Sequence, residues 1–177
     1  MKTSLDYVYF WGDEPFSNFT PCKVTVDGVN FCSSEQAFMY QKALFFHDTK
    51  IAEQILEAKT PKGAKALGRK VHNFNGEAWY AVSYNIMKNI VKHKFDQNQW
   101  MKQELLAPYY QNKIFVEASP YDRIWGIGFG QNQAEFHKKD WGNNRLGQIL
   151  TELRDEYARN KTSKEETVNA YTTGMVG

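Results

Sequence analysis

Glu35 and Lys42 lie in the stretch 31–46, FCSSEQAFMYQKALFF. If that stretch is helical, their i, i+7 spacing puts an acid and a base on one side, two turns apart. Phe38, Tyr40, Ala43 and Leu44 leave the helix little polar surface, so it reads as an interior element. Burying either charge alone is costly, and the two must be paired, exposed or functional. On these residues alone a solvated or structural ion pair is the plainer reading. Glu35 falls in the first turn, where the helix dipole favours its ionised form.

Other residues with chemical capacity stand in short runs. Residues 61–71, PKGAKALGRKV, are rich in Lys and Arg. A solvated basic face is the common explanation of such a run. A phosphate site near the Lys62–Arg69 segment, with Arg69 in it, is the sharper one, because a guanidinium grips phosphate in bidentate fashion. Residues 119–130, SPYDRIWGIGFG, hold Asp122 and Trp125 beside Gly126, Gly128 and Gly130. Amides exposed by such glycines can cradle phosphate, although flexible loops carry glycine repeats too. The dinucleotide fingerprint does not apply, since it needs a strand–turn–helix unit with an acid further on. Ser17 and Asn18 sit inside FSNF, residues 16–19. A turn in which they bond their own backbone is preferred to one in which they face a ligand. In WGNNRLG, residues 141–147, Asn143 or Asn144 can cap the last helix. Arg145 then sits in a first turn whose dipole it opposes, which implies a partner, either a carboxylate or a ligand anion.

Composition narrows the classes. The net charge of +2, from 22 basic and 20 acidic side chains, lacks the basic excess of a general nucleic-acid binder but permits a local basic cleft. Cys22 and Cys32 flank a hairpin and suit a reducing compartment with no disulfide framework. Neither CxxC nor a His/Cys cluster at zinc spacing is present, so no metal is expected. No signal peptide or long apolar run is seen, so a soluble, cytoplasmic protein is expected, with no membrane partner. The 15% aromatic share means core first, and stacking surfaces for a ring-bearing ligand second.

The elements that must position these residues follow in order. Residues 7–11 read as a strand. Residues 23–31, KVTVDGVNF, form a hairpin around Asp27-Gly28. Ser33 and Gln36 have the spacing of a capping box for the helix that carries Glu35. Helices follow over 49–59, with Ile51, Ile55 and Leu56 inward, and from Pro61. A long helix over 77–95 starts at Trp79, a core anchor on spacing alone. A further helix over 98–107 stops at Pro108, a strand spans 113–118, and the last helix spans 146–158. Residues 160–177 lack helical periodicity and are expected to be mobile. The fold class is mainly α (α+β): one compact helical domain, residues 1–159, with a small antiparallel hairpin or sheet.

FSNF, the hairpin leading to SSEQAFMYQKA, PKGAKALGR, the Trp-led helix, YDRIWGIG and WGNNRLGQILTELR occur in an order that resembles the NADAR family, also called YbiA-like. The resemblance runs from about residue 9 to 157, with the ends and residues 129–139 less typical. It implies a compact, mainly helical domain with a small sheet. It implies cleavage of a ribose C1–N bond, either in phosphorylated intermediates of riboflavin synthesis or in ADP-ribose attached to guanine of DNA or RNA. The family's functional positions fall on Glu35, Trp79, Asp122 and Trp125, and Lys42, Arg69, Asn144 and Arg145 sit in matching motifs.

On that resemblance, Glu35 and Asp122 form the expected carboxylate pair. One stabilises the positive charge that builds on C1, and the other activates water or protonates the leaving base. Lys42 admits a second route, attack of a desolvated amine on C1 of an opened sugar to give a Schiff base. Trp79 and Trp125 are expected to sandwich the base or the sugar. Arg69, Arg145 and the Gly126–Gly128 amides are expected to hold phosphate, with no cofactor needed. The competing expectation is a non-catalytic ADP-ribose or NAD-binding module with the same pocket.

Overall fold

The computed structural model describes residues 1–173, with side chains as far as residue 161. Strand β1 (Lys2–Thr3) is followed by β2 (Tyr7–Phe10), then by β3 (Val24–Val26) and β4 (Val29–Phe31). Four helices follow: α1 (Ser34–Phe45), α2 (Thr49–Glu57), α3 (Pro61–Gly68) and α4 (Gly76–Gln97). The chain closes with α5 (Gln99–Leu105), β5 (Ile114–Glu117) and α6 (Arg145–Thr173). A single 3-10 turn covers Pro108–Tyr110, and two short 3-10 segments joined by a kink at His137 cover Ala134–Asp140.

The expected hairpin forms. β3 and β4 pair antiparallel, and Asp27 (φ 51°) and Gly28 (φ 78°) supply the positive φ its turn demands. The second sheet has the order β1-β2-β5 and is not wholly antiparallel: β2 pairs with β5 in parallel, Tyr7 opposite Ile114 through Phe10 opposite Glu117. A parallel pair needs a long crossover, and α1 to α5 provide it.

Helix α1 begins as its sequence dictates. The Ser33 hydroxyl accepts from the Gln36 N–H at 3.1 Å, and Gln36 Oε1 accepts from the Cys32 N–H at 2.8 Å. The same Gln36 amide donates to the Ile55 carbonyl at 2.8 Å and the Ala58 carbonyl at 3.1 Å. One buried side chain thus caps α1 and ties it to the end of α2. Gly68 lets α3 pack against Met39 of α1, because a Cβ there would come within 2.1 Å of the sulfur.

Phe16 explains the aromatic frame of FSNF. It is buried against Phe10, Tyr110 and Phe115, with its ring 4.8 Å from that of Phe115. The loop is also held from below. Lys94 of α4 is buried, and its Nζ donates to the Ser17 carbonyl at 2.8 Å. Burial pushes that ammonium down to about 8, the expected direction for a cation removed from water.

The outer edge of β5 is closed by α6 and the residue before it. Thr151 Oγ1 accepts from the Phe115 N–H at 3.0 Å, while Asn144 takes the Glu117 N–H and gives to the Phe115 carbonyl, both at 2.9 Å. Side chains thereby supply the ladder that a further strand would have made.

Several expectations needed correction. Leu44 and Leu56 point outward, because each falls off the apolar stripe of its helix. Helix α6 does not end at residue 158 but continues to Thr173. Of the tail expected to be mobile, residues 174–177 lie outside the described residues. Among the described residues no helix is long and apolar enough to cross a membrane.

Gly147 tests how tightly α6 sits on β5. A Cβ there would lie 2.1 Å from the Phe115 carbonyl oxygen, a backbone atom. Helix propensity favours Gly→Ala by roughly 1 kcal/mol, whereas overpacking costs about 1–3 kcal/mol. Gly147→Ala is therefore expected to lower the denaturation midpoint; an unchanged or raised midpoint would show that α6 can move away.

Candidate functional site

The loops that leave β2 and β5 meet above the N-terminus of α1. The Asn18 carbonyl accepts the Glu35 N–H at 3.1 Å, so the 16–19 turn sits directly on the first turn of α1. Beneath it lies a cleft with two adjoining chambers. The inner one, about 230 Å³, is lined by Asn18, Glu35, Lys42, Trp79 and Trp125 among others. The outer one, about 480 Å³, is lined by Trp11, Asp13, Ser17, Ser119 and Tyr121. Phe19, Lys65, Arg69, Glu117 and Asp122 border both chambers and form the wall between them.

Glu35 and Asp122, far apart in sequence, thus share the inner chamber. Glu35 is 5% exposed, and its Oε1 lies 3.9 Å from Lys65 Nζ. Burial raises its carboxyl to about 7, with Lys65 opposing and Asp122 assisting the rise. Asp122 Oδ1 accepts the Ile124 and Trp125 N–H groups, both at 2.8 Å, and so fixes the turn that carries Trp125. Lys42 forms no ion pair with Glu35 within 4.0 Å. It donates instead to the Gly68 carbonyl at 2.9 Å and lies 4.1 Å from the centroid of the Phe74 ring. Burial lowers its ammonium, and Glu35 opposes that shift.

The two tryptophans flank a third ring. Phe38 of α1 lies 5.1 Å from Trp79 at 40° and 5.1 Å from Trp125 at 80°. Trp79 is also part of the core, so its spacing-based reading as an anchor and its place in the chamber wall both hold.

Other expected residues are placed differently. Asn144 and Arg145 line neither chamber. Asn144 is used on β5. Arg145 donates to the Ser83 hydroxyl at 3.1 Å and the Tyr80 carbonyl at 3.2 Å, and its guanidinium lies over Tyr80, Tyr84 and Trp125. Its partners are aromatic faces and neutral oxygens, not the carboxylate or anion expected. Gly126 and Gly128 also stand outside both chambers. A Cβ on Gly126 would lie 2.7 Å from the Glu117 carbonyl, so that glycine serves close packing of the loop on β5. Gly128 has a φ of +79° and packs on Arg123. The Ser17 hydroxyl accepts its own turn's Phe19 N–H at 3.1 Å, as the turn reading expects, and Ser17 lines the outer chamber; Asn18 lines the inner one, and its Oδ1 is buried without a partner.

Sequence reading does not name Glu117, and it covers Lys65 only as part of the Lys62–Arg69 segment. Glu117 closes β5 with its Oε2 buried and unpartnered, and burial, then Asp122 and Glu35, raise its carboxyl to about 8. The available signal was alternation: Phe115 and Glu117 share a strand face, so an inward Phe115 implies an inward Glu117. Lys65 stands one helical turn before Arg69 on α3, which puts both cations on one face. Among the described residues no three His, Cys, Asp or Glu side chains converge to hold a metal ion.

The chain is similar to known proteins in sequence and in fold. The family model described as NADAR domain matches residues 9–158. "N-glycosidase R617" of Acanthamoeba polyphaga mimivirus is 37% identical over 164 residues, covering 85% of this chain and 95% of that protein. "N-glycosidase YbiA" of Escherichia coli (strain K12) is 35% identical, covering 90% of this chain and 88% of that one. The solution NMR structure of E. coli YbiA superposes with a TM-score of 0.73 at 29% identity, over 91% of this chain and 90% of the other.

A raised carboxyl makes stability depend on pH. An acid whose folded value exceeds its unfolded one stabilises the fold fully below the unfolded value and loses that stabilisation as pH rises through the folded value. For Glu35 the window runs from 4.5 to about 7. Between pH 5 and pH 8 the wild type is expected to lose on the order of 2 kcal/mol more stability than Glu35→Gln does. Denaturant unfolding at both pH values measures this, and parallel losses would place Glu35 in a more polar setting.

Proposed function

The chain belongs to the NADAR family, and from that premise we propose that it is an N-glycosidase which hydrolyses the ribose C1–N bond of a phosphorylated, ribosylated base. The observation that carries this reading is the shared chamber, where Glu35 and Asp122 meet Trp79 and Trp125. Breaking the bond builds positive charge on C1 and the ring oxygen and negative charge on the departing nitrogen. Glu35, raised to about 7, carries a proton in a large share of the molecules at neutral pH and gives it to the leaving base. Asp122, fixed by two backbone amides, faces the cationic sugar and receives the proton of the attacking water. The indoles hold the ring. Lys65 and Arg69, on the wall between the chambers, take the phosphate.

A second route rests on Lys42, whose depressed ammonium lines the same chamber. As the sugar opens, its ring oxygen takes a proton and C1 becomes an iminium to the base; the neutral amine adds to C1, the base leaves with a proton, and a Schiff base results that water then hydrolyses. Borohydride reduction during turnover distinguishes the two, since only the Schiff base leaves a stable adduct on Lys42.

Two substrate branches follow. One is ADP-ribosyl-guanine in DNA or RNA, in which case the protein reverses that modification. The other is a small phosphorylated ribosylamino-pyrimidine of riboflavin synthesis. The outer chamber of about 480 Å³ offers room beyond a single phosphorylated ribose and favours the first.

Incubation with each substrate followed by mass analysis is the test. Release of free base from one of them is expected, and Glu35→Gln is expected to cut that release by at least about a hundredfold while ligand still binds. Wild-type release in the variant would remove Glu35 from the chemistry. Release from neither substrate, with ADP-ribose bound, would identify a non-catalytic ADP-ribose or NAD-binding module instead.

A further inference from the structure

Three buried side-chain atoms among the described residues have no hydrogen-bond partner: Asn18 Oδ1, Ser34 Oγ and Glu117 Oε2. Two of the three residues, Asn18 and Glu117, line the inner chamber. An unmet buried oxygen costs free energy that a ligand hydroxyl can recover. From this juxtaposition we infer that Glu117 is a specificity-determining residue which hydrogen-bonds the 2-hydroxyl of the substrate's ribose. The inference rests on the N-glycosidase reading for the presence of a sugar.

The choice of hydroxyl follows from neighbours. Glu117 borders both chambers, on the wall that also holds Asp122 and the cations Lys65 and Arg69. The charged groups that act on it are Asp122, Glu35 and Lys65. With Glu35 and Asp122 at C1 and phosphate on the cations, Glu117 lies beside the reacting carbon. The hydroxyl next to C1 is the 2-hydroxyl. Hydrogen bonds to that group strengthen as the sugar becomes cationic. The position of Glu117 is itself well determined, since Asn144 holds its N–H at 2.9 Å and the Ile127 N–H donates to its carbonyl at 3.0 Å.

The test is calorimetric titration of the full chain with ribose 5-phosphate and with 2-deoxyribose 5-phosphate. Wild type is expected to prefer the ribose compound roughly tenfold. Glu117→Met, similar in volume but unable to hydrogen-bond, is expected to bring the ratio to about one, and Glu117→Gln to restore part of it. With a substrate that releases base, the loss in Glu117→Met should fall on kcat more than on KM. Equal binding of both sugars by the wild type, no binding of either, or an unchanged ratio in Glu117→Met would each overturn the inference. Discrimination without any base release would refute the N-glycosidase reading and leave the role of Glu117 standing; base release with an unchanged ratio would do the reverse.

Discussion

Because β2 and β5 run parallel, both segments leave the sheet at the same end. The turn after β2 carries Ser17 and Asn18, and the loop after β5 carries Asp122 and Trp125. Ligands of parallel sheets sit beyond the carboxyl ends of the strands for this reason. The crossover then has to return a helix over that end, and α1 arrives with its first turn under the Asn18 carbonyl. Glu35 is delivered to Asp122 by topology, with no local sequence relation between them. An antiparallel pairing would have sent the loop after β5 to the far edge, and Asp122 with it, away from Glu35.

The charge balance of the cleft is set by competition between burial and attraction. Glu35, Glu117 and Asp122 face Lys42, Lys65 and Arg69 across the inner chamber. An ion pair with a partly exposed partner contributes about 0–1 kcal/mol, whereas removing a carboxylate from water costs several kcal/mol. Lys65 is 36% exposed at 3.9 Å from Glu35, so its pull is too weak to reverse the penalty. The buried Glu35 and the half-buried Glu117 consequently rise, and Lys42 falls. The acids move up and the amine moves down, which narrows the gap between them, as in sites that tune acid and base groups by burial.

How legible this was depended on the range of the interaction. The cap at Ser33, the Asp27-Gly28 turn and the helix opened by Pro61 are local, and each was readable from neighbouring residues. The parallel pairing was not readable, because strand direction is decided by the crossover rather than by the four residues of β2 or β5. Leu44 and Leu56 were placed inward because they are apolar; which stripe of a helix faces in depends on its neighbours. Arg145 was flagged correctly as a cation in need of a partner, but sequence offers carboxylates and phosphates more readily than a set of ring faces. Glu117 escaped because a single charge in a short strand reads as its solvent-facing side until the partner of that face is known.

That set of ring faces bears on the site even though Arg145 does not line it. The guanidinium lies 4.3 Å from the Tyr80 ring, 5.2 Å from Tyr84 and 5.0 Å from Trp125. Its hydrogen bonds to Ser83 and the Tyr80 carbonyl anchor it to α4, while its backbone starts α6. Trp125 is therefore held from behind by a cation tied to two helices, and from the side by Phe38 of a third. Its loop, in turn, is pinned by Asp122. A residue that opposes its own helix dipole is tolerated here because desolvated cation–π contacts, at about 2 kcal/mol, outweigh a dipole penalty of about 0.3–1 kcal/mol. The net result is a fixed indole in the wall of the inner chamber, placed by a residue that lines neither chamber.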